Sequence, residues 1–236
     1  MTCMGPDITQ DEALRSIPTR LAELHEQLPA TTHLVAVSKF HPCEMIQEAY
    51  RAGQRIFGES HVQELQQKRP LLPEDIQWHF IGHLQTNKVK YIAPYIDLIH
   101  SVDSPRLLNE ISRQGLRFGR RIPCLLQIHV AREETKFGFL PDECIDYLRS
   151  GEWRLLEGVE IRGLMCMASN VDDEVQIDNE FALAERLFDA VRNEFFVNNS
   201  SFCERSWGMS HDYPIAIRHR STLVRIGSYI FGERYY

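Results

Sequence analysis

An alternation constrains this chain more than any other feature: a short apolar or β-branched run, then a segment with helical spacing, repeated eight times from residue 33 onward. The first unit joins residues 33–39 (His-Leu-Val-Ala-Val-Ser-Lys) to a helical pattern that Pro42 opens, Met45, Ile46, Ala49 and Tyr50 carry, and Gly53 stops. Strand-like runs at 55–58, 77–81 and 98–102 follow, interleaved with helical segments at 62–68, 87–93 and 105–116. The second half adds runs at 123–130, 160–165, 206–209 and 223–227, with helical segments at 142–148 and 174–195, another from 212, and a tail at 229–236. Parallel strands joined by helical crossovers are covered on both faces, so they read as continuous apolar runs. Eight of them, with no Gly/Ser-rich linker and no composition shift, predict an α/β fold: a single-domain (β/α)8 TIM barrel over residues 1–236. A doubly wound dinucleotide fold is disfavoured, because no G-x-G-x-x-G follows the first strand. Leu14, Ile17, Leu21, Leu24 and Leu28 lie on one helical face of residues 11–28. They predict an extra N-terminal helix within residues 1–30, plugging or flanking a barrel of residues 31–236, since little chain follows the last strand.

Composition removes several classes of function. Twenty-six basic against thirty-three acidic side chains give a formal charge of −7, which does not call for nucleic acid. The basic cluster Arg117, Arg120 and Arg121 reads as the solvated end of a helix. No apolar run approaches the roughly 18 residues of a membrane span, and the N-terminus lacks an export signal. Cys3, Cys43, Cys124, Cys144, Cys166 and Cys203 are scattered without a C-x-x-C pair, as suits reduced thiols in a cytoplasmic compartment, a reading that leaves mitochondrial association open. His79 and His83 are four apart but straddle a strand end without the glutamate of a zinc helix, so no metal site is expected. Asp172, Asp173 and Glu174 fit the acidic start of the long helix at 174–195.

In such a barrel, chemistry sits at the C-terminal ends of the strands. Lys39 closes the first run, which places an amine at an apolar mouth where desolvation favours its neutral, nucleophilic form; a snorkelling surface lysine is the alternative. Ser210 follows the seventh run, and Gly227-Ser228 follows the eighth. Loops in these two places commonly cradle phosphate with backbone N–H groups. Arg225 lies two residues before Gly227, and an inward side chain would face the same ligand; a structural ion pair is the alternative. An imine-forming lysine, an anion cradle and a barrel-lining arginine together suit pyridoxal 5′-phosphate.

Several runs carry a resemblance. They are Val35-Ala-Val-Ser-Lys39, Phe57-Gly-Glu59 with Val62-Gln-Glu64, His79-Phe-Ile-Gly-His-Leu-Gln-Thr-Asn-Lys88, Lys136-Phe-Gly138, Arg162-Gly-Leu-Met165, Gly208-Met-Ser210, and Ser221-Thr-Leu-Val-Arg-Ile-Gly227 with Ile230-Phe-Gly232. In this order they resemble the pyridoxal-phosphate homeostasis protein family, a single-domain relative of the alanine racemase barrel. The resemblance implies that Lys39 carries the internal aldimine, that Ser210, Gly227 and Ser228 hold the phosphate, and that Arg225 faces the pyridine nitrogen. It also places Ser60, His83 and Met209 around the cofactor, and Lys136 nearby.

The chain departs from the family pattern at Ser60, where asparagine is usual, at His129, also in place of asparagine, and at Arg220, in place of glycine. An arginine at Arg220 forgoes the freedom to adopt positive φ, which predicts a strained or rebuilt turn. The function implied is intracellular cofactor homeostasis by a carrier or buffer, with apo-enzymes as possible recipients and a monomer or weak dimer as the state. An amino-acid racemase of the alanine racemase type is the alternative. Against it, those enzymes add a β-rich domain with a tyrosine base that is not expected here, and a cation at the pyridine nitrogen weakens the electron sink.

Overall fold

Each apolar run becomes a strand in the computed structural model, which describes residues 16–131 and 137–232. The strands are β1 (His33–Val37), β2 (Ile56–Glu59), β3 (Gln77–Phe80), β4 (Leu98–Val102), β5 (Ile122–Ile128), β6 (Val159–Cys166), β7 (Glu204–Met209) and β8 (Leu223–Ile226). All pair in parallel and in chain order, and β8 returns to β1 to close the barrel. Val35, Leu98, Leu125, Met165 and Leu223 fill its interior. Outward residues such as Phe57, Phe80, Ile99 and Trp207 are buried beneath the helices. This two-sided burial is why the runs lack polar alternation.

Among the described residues the helices are α1 (Ile17–Gln27), α2 (Cys43–Arg51), α3 (Val62–Lys68), α4 (Val89–Ile92), α5 (Pro105–Arg117), α6 (Pro141–Ser150), α7 (Glu174–Phe195), α8 (Tyr213–Arg218) and α9 (Ser228–Phe231). Proline stands in the first turn of α1, α5, α6 and α8, where its missing N–H costs nothing. The helix expected at 87–93 is shorter than its pattern, with a 3₁₀ turn Thr86–Lys88 leading into α4. Asp173 caps α7 as expected, its Oδ1 accepting from the amides of Val175 and Gln176 at 3.0 and 3.1 Å.

α1 flanks the barrel instead of plugging it. The four-residue α9 covers little of β8, and α1 closes the outer ring there by burying Ile17, Leu21 and Leu24. Burying each of these side chains stabilises the fold by about 1.5–3 kcal/mol. Arg20 donates to the Ile230 carbonyl at 3.2 Å, Tyr229 to Glu23 at 2.7 Å and Tyr213 to Gln27 at 2.6 Å, which fixes the position. Residues 11–15 of the expected helix, Cys3, Lys136 and residues 233–236 lie outside the described residues.

The basic cluster is more than a solvated helix end. Arg120 donates to the carbonyls of Ala93 and Ile96, both at 2.7 Å, and Arg121 donates to the carbonyl of Val159 at 3.1 Å. These guanidiniums satisfy backbone acceptors left over beyond α4 and within β6. The turn before β8 does carry strain. Arg220 adopts φ 59°, and its side chain is held by Glu185 and Asp189 of α7.

Candidate functional site

The first expected run reaches Lys39, but β1 ends at Val37. Lys39 instead occupies the second position of a turn closed by the His41 amide on the Ser38 carbonyl at 3.1 Å. Phe40, in the third position, has φ 67°, the positive value a type II turn requires there and which glycine usually supplies. Lys39 is half-buried at the C-terminal mouth.

β8 is the direct neighbour of β1, with Val35 opposite Arg225 and Ala36 opposite Ile226. Gly227 therefore follows β8 just where β1 ends. A Cβ at Gly227 would meet the Val37 carbonyl at 3.0 Å and Val37 Cβ at 3.1 Å, so close an approach that a side chain there would need the end of β1 to give by a few tenths of an ångström. The Gly227 amide points to Ser210 Oγ at 3.4 Å, and Ser228 Oγ lies 3.2 Å from the same hydroxyl. Two hydroxyls and a backbone N–H thus converge beside the Lys39 turn, with the donor set a phosphate needs. Asp212, which the sequence reading missed, accepts the Met209 amide and holds the Met209-Ser210 turn in place.

Arg225 points into the barrel and is buried. Its Nη1 donates to Ser206 O at 2.7 Å and Ser206 Oγ at 2.6 Å, and its Nη2 donates to the Cys166 carbonyl at 2.9 Å. All three acceptors are neutral, so the expected alternative of an ion pair across the barrel is not what holds it. Three bonds leave two of the five guanidinium N–H groups for a ligand acceptor.

Beyond Ser206 the interior continues as a polar chain. His100 Nδ1 is 2.8 Å from Ser206 Oγ, and His100 Nε2 is 2.9 Å from His79 Nδ1. Burial pushes His79 down to about 3, helped by the Arg162 charge. Burial also pushes His100 well below the usual histidine range, with His79 and Arg225 adding to the effect. Both imidazoles are neutral acceptor-donors near neutral pH. His100 and Ser206 were missed because their strands read as apolar; the signal was a polar residue in the middle of such a run.

The remaining expected residues are spread around the same mouth. Met209 ends β7 beside Ser210. Ser60 follows β2, its Oγ 3.0 Å from His61 Nδ1. His83 follows β3 but turns away from the cradle, 3.0 Å from Asp103 and stacked on Phe137 with centroids 4.2 Å apart. There it borders a polar cleft of about 350 Å³ that also involves Thr86, Asn87, Ser104 and Arg106.

Comparison with known proteins matches residues 13–235 to the family described as alanine racemase, N-terminal domain. The pyridoxal phosphate homeostasis protein of Aquifex aeolicus is 37% identical over 205 residues, covering 86% of this chain and 87% of that one. PipY of Synechococcus elongatus, solved with pyridoxal phosphate bound, superposes with a TM-score of 0.83 at 36% identity, over 92% of this chain and 100% of PipY. Alanine racemase from Bartonella henselae shares the fold alone, with a TM-score of 0.71 and 18% identity over 92% of this chain and 58% of the racemase.

Proposed function

Because the chain belongs to the pyridoxal phosphate homeostasis protein family, built on the alanine racemase N-terminal domain, we propose that it binds pyridoxal 5′-phosphate and serves intracellular homeostasis of that cofactor as a carrier or buffer. The reading rests on one observation above the others: β1 pairs with β8, so the Lys39 turn and the donors of Ser210, Gly227 and Ser228 share one corner of the barrel mouth.

When bound, the cofactor supplies an aldehyde carbon that an amine captures with loss of water. Lys39 is the amine we assign to that bond. Ser210 Oγ, Ser228 Oγ and the Gly227 N–H bind the phosphate, and the spare N–H groups of Arg225 meet the pyridine nitrogen. A permanent cation at that atom opposes its protonation, so the ring is held without being made a strong electron sink. We assign Met209 and Ser60 to the wall of the mouth and His83, held on Asp103, to its outer rim.

We extend the reading to apo-enzymes that use this cofactor as its recipients. A reducing, cytoplasmic setting is supported by the described cysteines, Cys43, Cys124, Cys144, Cys166 and Cys203, which are all free thiols. No described helix is long and apolar enough to cross a membrane. We take a monomer or weak dimer as its state. We take residues 31–236 as the barrel unit and 1–30 as its N-terminal helical addition.

The test is the visible spectrum of purified protein with added pyridoxal phosphate, followed by borohydride reduction and peptide mass analysis. A new visible band and a reduced adduct on the Lys39 peptide support the reading; a colourless protein with no adduct overturns it.

A further inference from the structure

The Lys39 turn is strained and gripped from below. Phe40 holds φ 67° at a position that favours glycine, which costs a non-glycine residue of order 1–2 kcal/mol. Such a conformation persists only where the surroundings over-determine it, and two side chains of α3 do so here. Glu64 Oε1 accepts the Phe40 amide at 2.6 Å. The same oxygen accepts Lys68 Nζ at 2.6 Å. Lys68 Nζ also donates to the Ser38 carbonyl at 2.8 Å and to Glu59 Oε1 at 2.9 Å, and the Ser38 hydroxyl donates to that Glu59 oxygen at 2.7 Å.

One buried ammonium and two carboxylates therefore hold the residues on both sides of Lys39. Glu59 and Lys68 are buried, whereas the Glu64 carboxylate is one-fifth exposed. An isolated structural ion pair would need none of these backbone contacts, yet the network's two backbone bonds fall on Ser38 and Phe40, the immediate neighbours of Lys39.

We propose that Glu64 and Lys68 are positioning residues: through Phe40 and Ser38 they clamp the turn that presents the Lys39 amine to the Ser210–Gly227–Ser228 cradle. This rests on the assignment of Lys39 as the cofactor-binding amine. Replacing Glu64 frees the Phe40 amide and loosens the turn without touching the cradle, so it weakens only ligands that engage Lys39.

The experiment compares two ligands by calorimetric titration of the full chain. Pyridoxal 5′-phosphate can bond to the amine, while pyridoxine 5′-phosphate has an alcohol in place of the aldehyde and reports on the cradle and ring contacts alone. For Glu64→Ala, affinity for the aldehyde falls roughly tenfold, the scale of one charge-assisted hydrogen bond, and affinity for the alcohol stays within about twofold of wild type. Glu64→Gln keeps an oxygen for the Phe40 amide and recovers most of the loss.

Lys39→Ala is the control. If it lowers affinity for the aldehyde selectively while Glu64→Ala shifts both ligands equally or neither, the positioning role is overturned and the Lys39 assignment stands. If Lys39→Ala leaves the aldehyde as tightly bound as in wild type, the assignment fails and the inference falls with it. Glu64 is partly exposed, so its variants are suited to fold, and thermal melts of the free protein verify this.

Discussion

At Ser210, Lys39 and Arg220 the chemistry turns on single side chains. Ser210→Ala removes one hydroxyl donor from the proposed phosphate cradle. Binding of pyridoxal 5′-phosphate should weaken by about 1.5–3 kcal/mol, the range for a charge-assisted hydrogen bond. Pyridoxal without its phosphate should bind unchanged, and equilibrium dialysis of the two ligands reads the difference. Lys39→Ala should abolish the visible band and the borohydride adduct; an adduct of full yield on another lysine would show that the amine is misassigned. Arg220 gives a stability test. Arg220→Gly and Arg220→Ala both lose the contacts to Glu185 and Asp189, but only glycine adopts φ 59° without steric cost. In urea unfolding the glycine variant should be the more stable of the two by about 1 kcal/mol, and equal stabilities would mean the turn relaxes to negative φ. The family resemblance already marked Arg220, because the family pattern has glycine at that position. The partners on α7 were not visible.

At the scale of elements, four strands are tied together inside the barrel by Arg225 on β8, Ser206 on β7, His100 on β4 and His79 on β3. The two buried histidines make the tie sensitive to acid. In the unfolded chain they take up protons near the ordinary value of 6.5, whereas folded His79 resists until about 3. The unfolded state therefore binds more protons below 6.5, so stability is full above that pH and is lost as pH falls from 6.5 toward 3. One such group contributes a slope of roughly 1.4 kcal/mol per pH unit over that window. His79→Gln should remove about that much slope, measured as unfolding free energy at pH 7, 5.5 and 4.5. An unchanged slope would mean that His79 is protonated in the folded barrel. Strand positions were legible because two-sided burial makes apolar runs. The polar tie was not, since its members lie as many as 146 residues apart in the chain, from His79 to Arg225, and nothing local pairs them.

For the whole molecule, the choice between carrier and racemase is decided by proton exchange. With a cation assigned to the pyridine nitrogen, exchange of the α-proton of L-alanine in deuterium oxide should exceed that with free cofactor by only a small factor, while transfer of bound cofactor to an apo-enzyme should be measurable. Turnover in the common enzymatic range of roughly 1–10³ per second would favour the racemase reading. The sequence by itself determined the barrel and the order of its strands, because hydrophobic periodicity is written locally and parallel strands need crossover helices. It also marked Lys39, Ser210, Arg225, Gly227 and Ser228 as a set. Only the tertiary structure decided that Lys39 sits in a turn beyond β1, that α3 grips its two neighbours, that α1 covers the gap left beside α9, and that Arg225 is held by neutral groups. None of these is written locally: closing β8 against β1 joins segments almost two hundred residues apart, and the side-chain directions that make the other contacts are encoded by no local pattern.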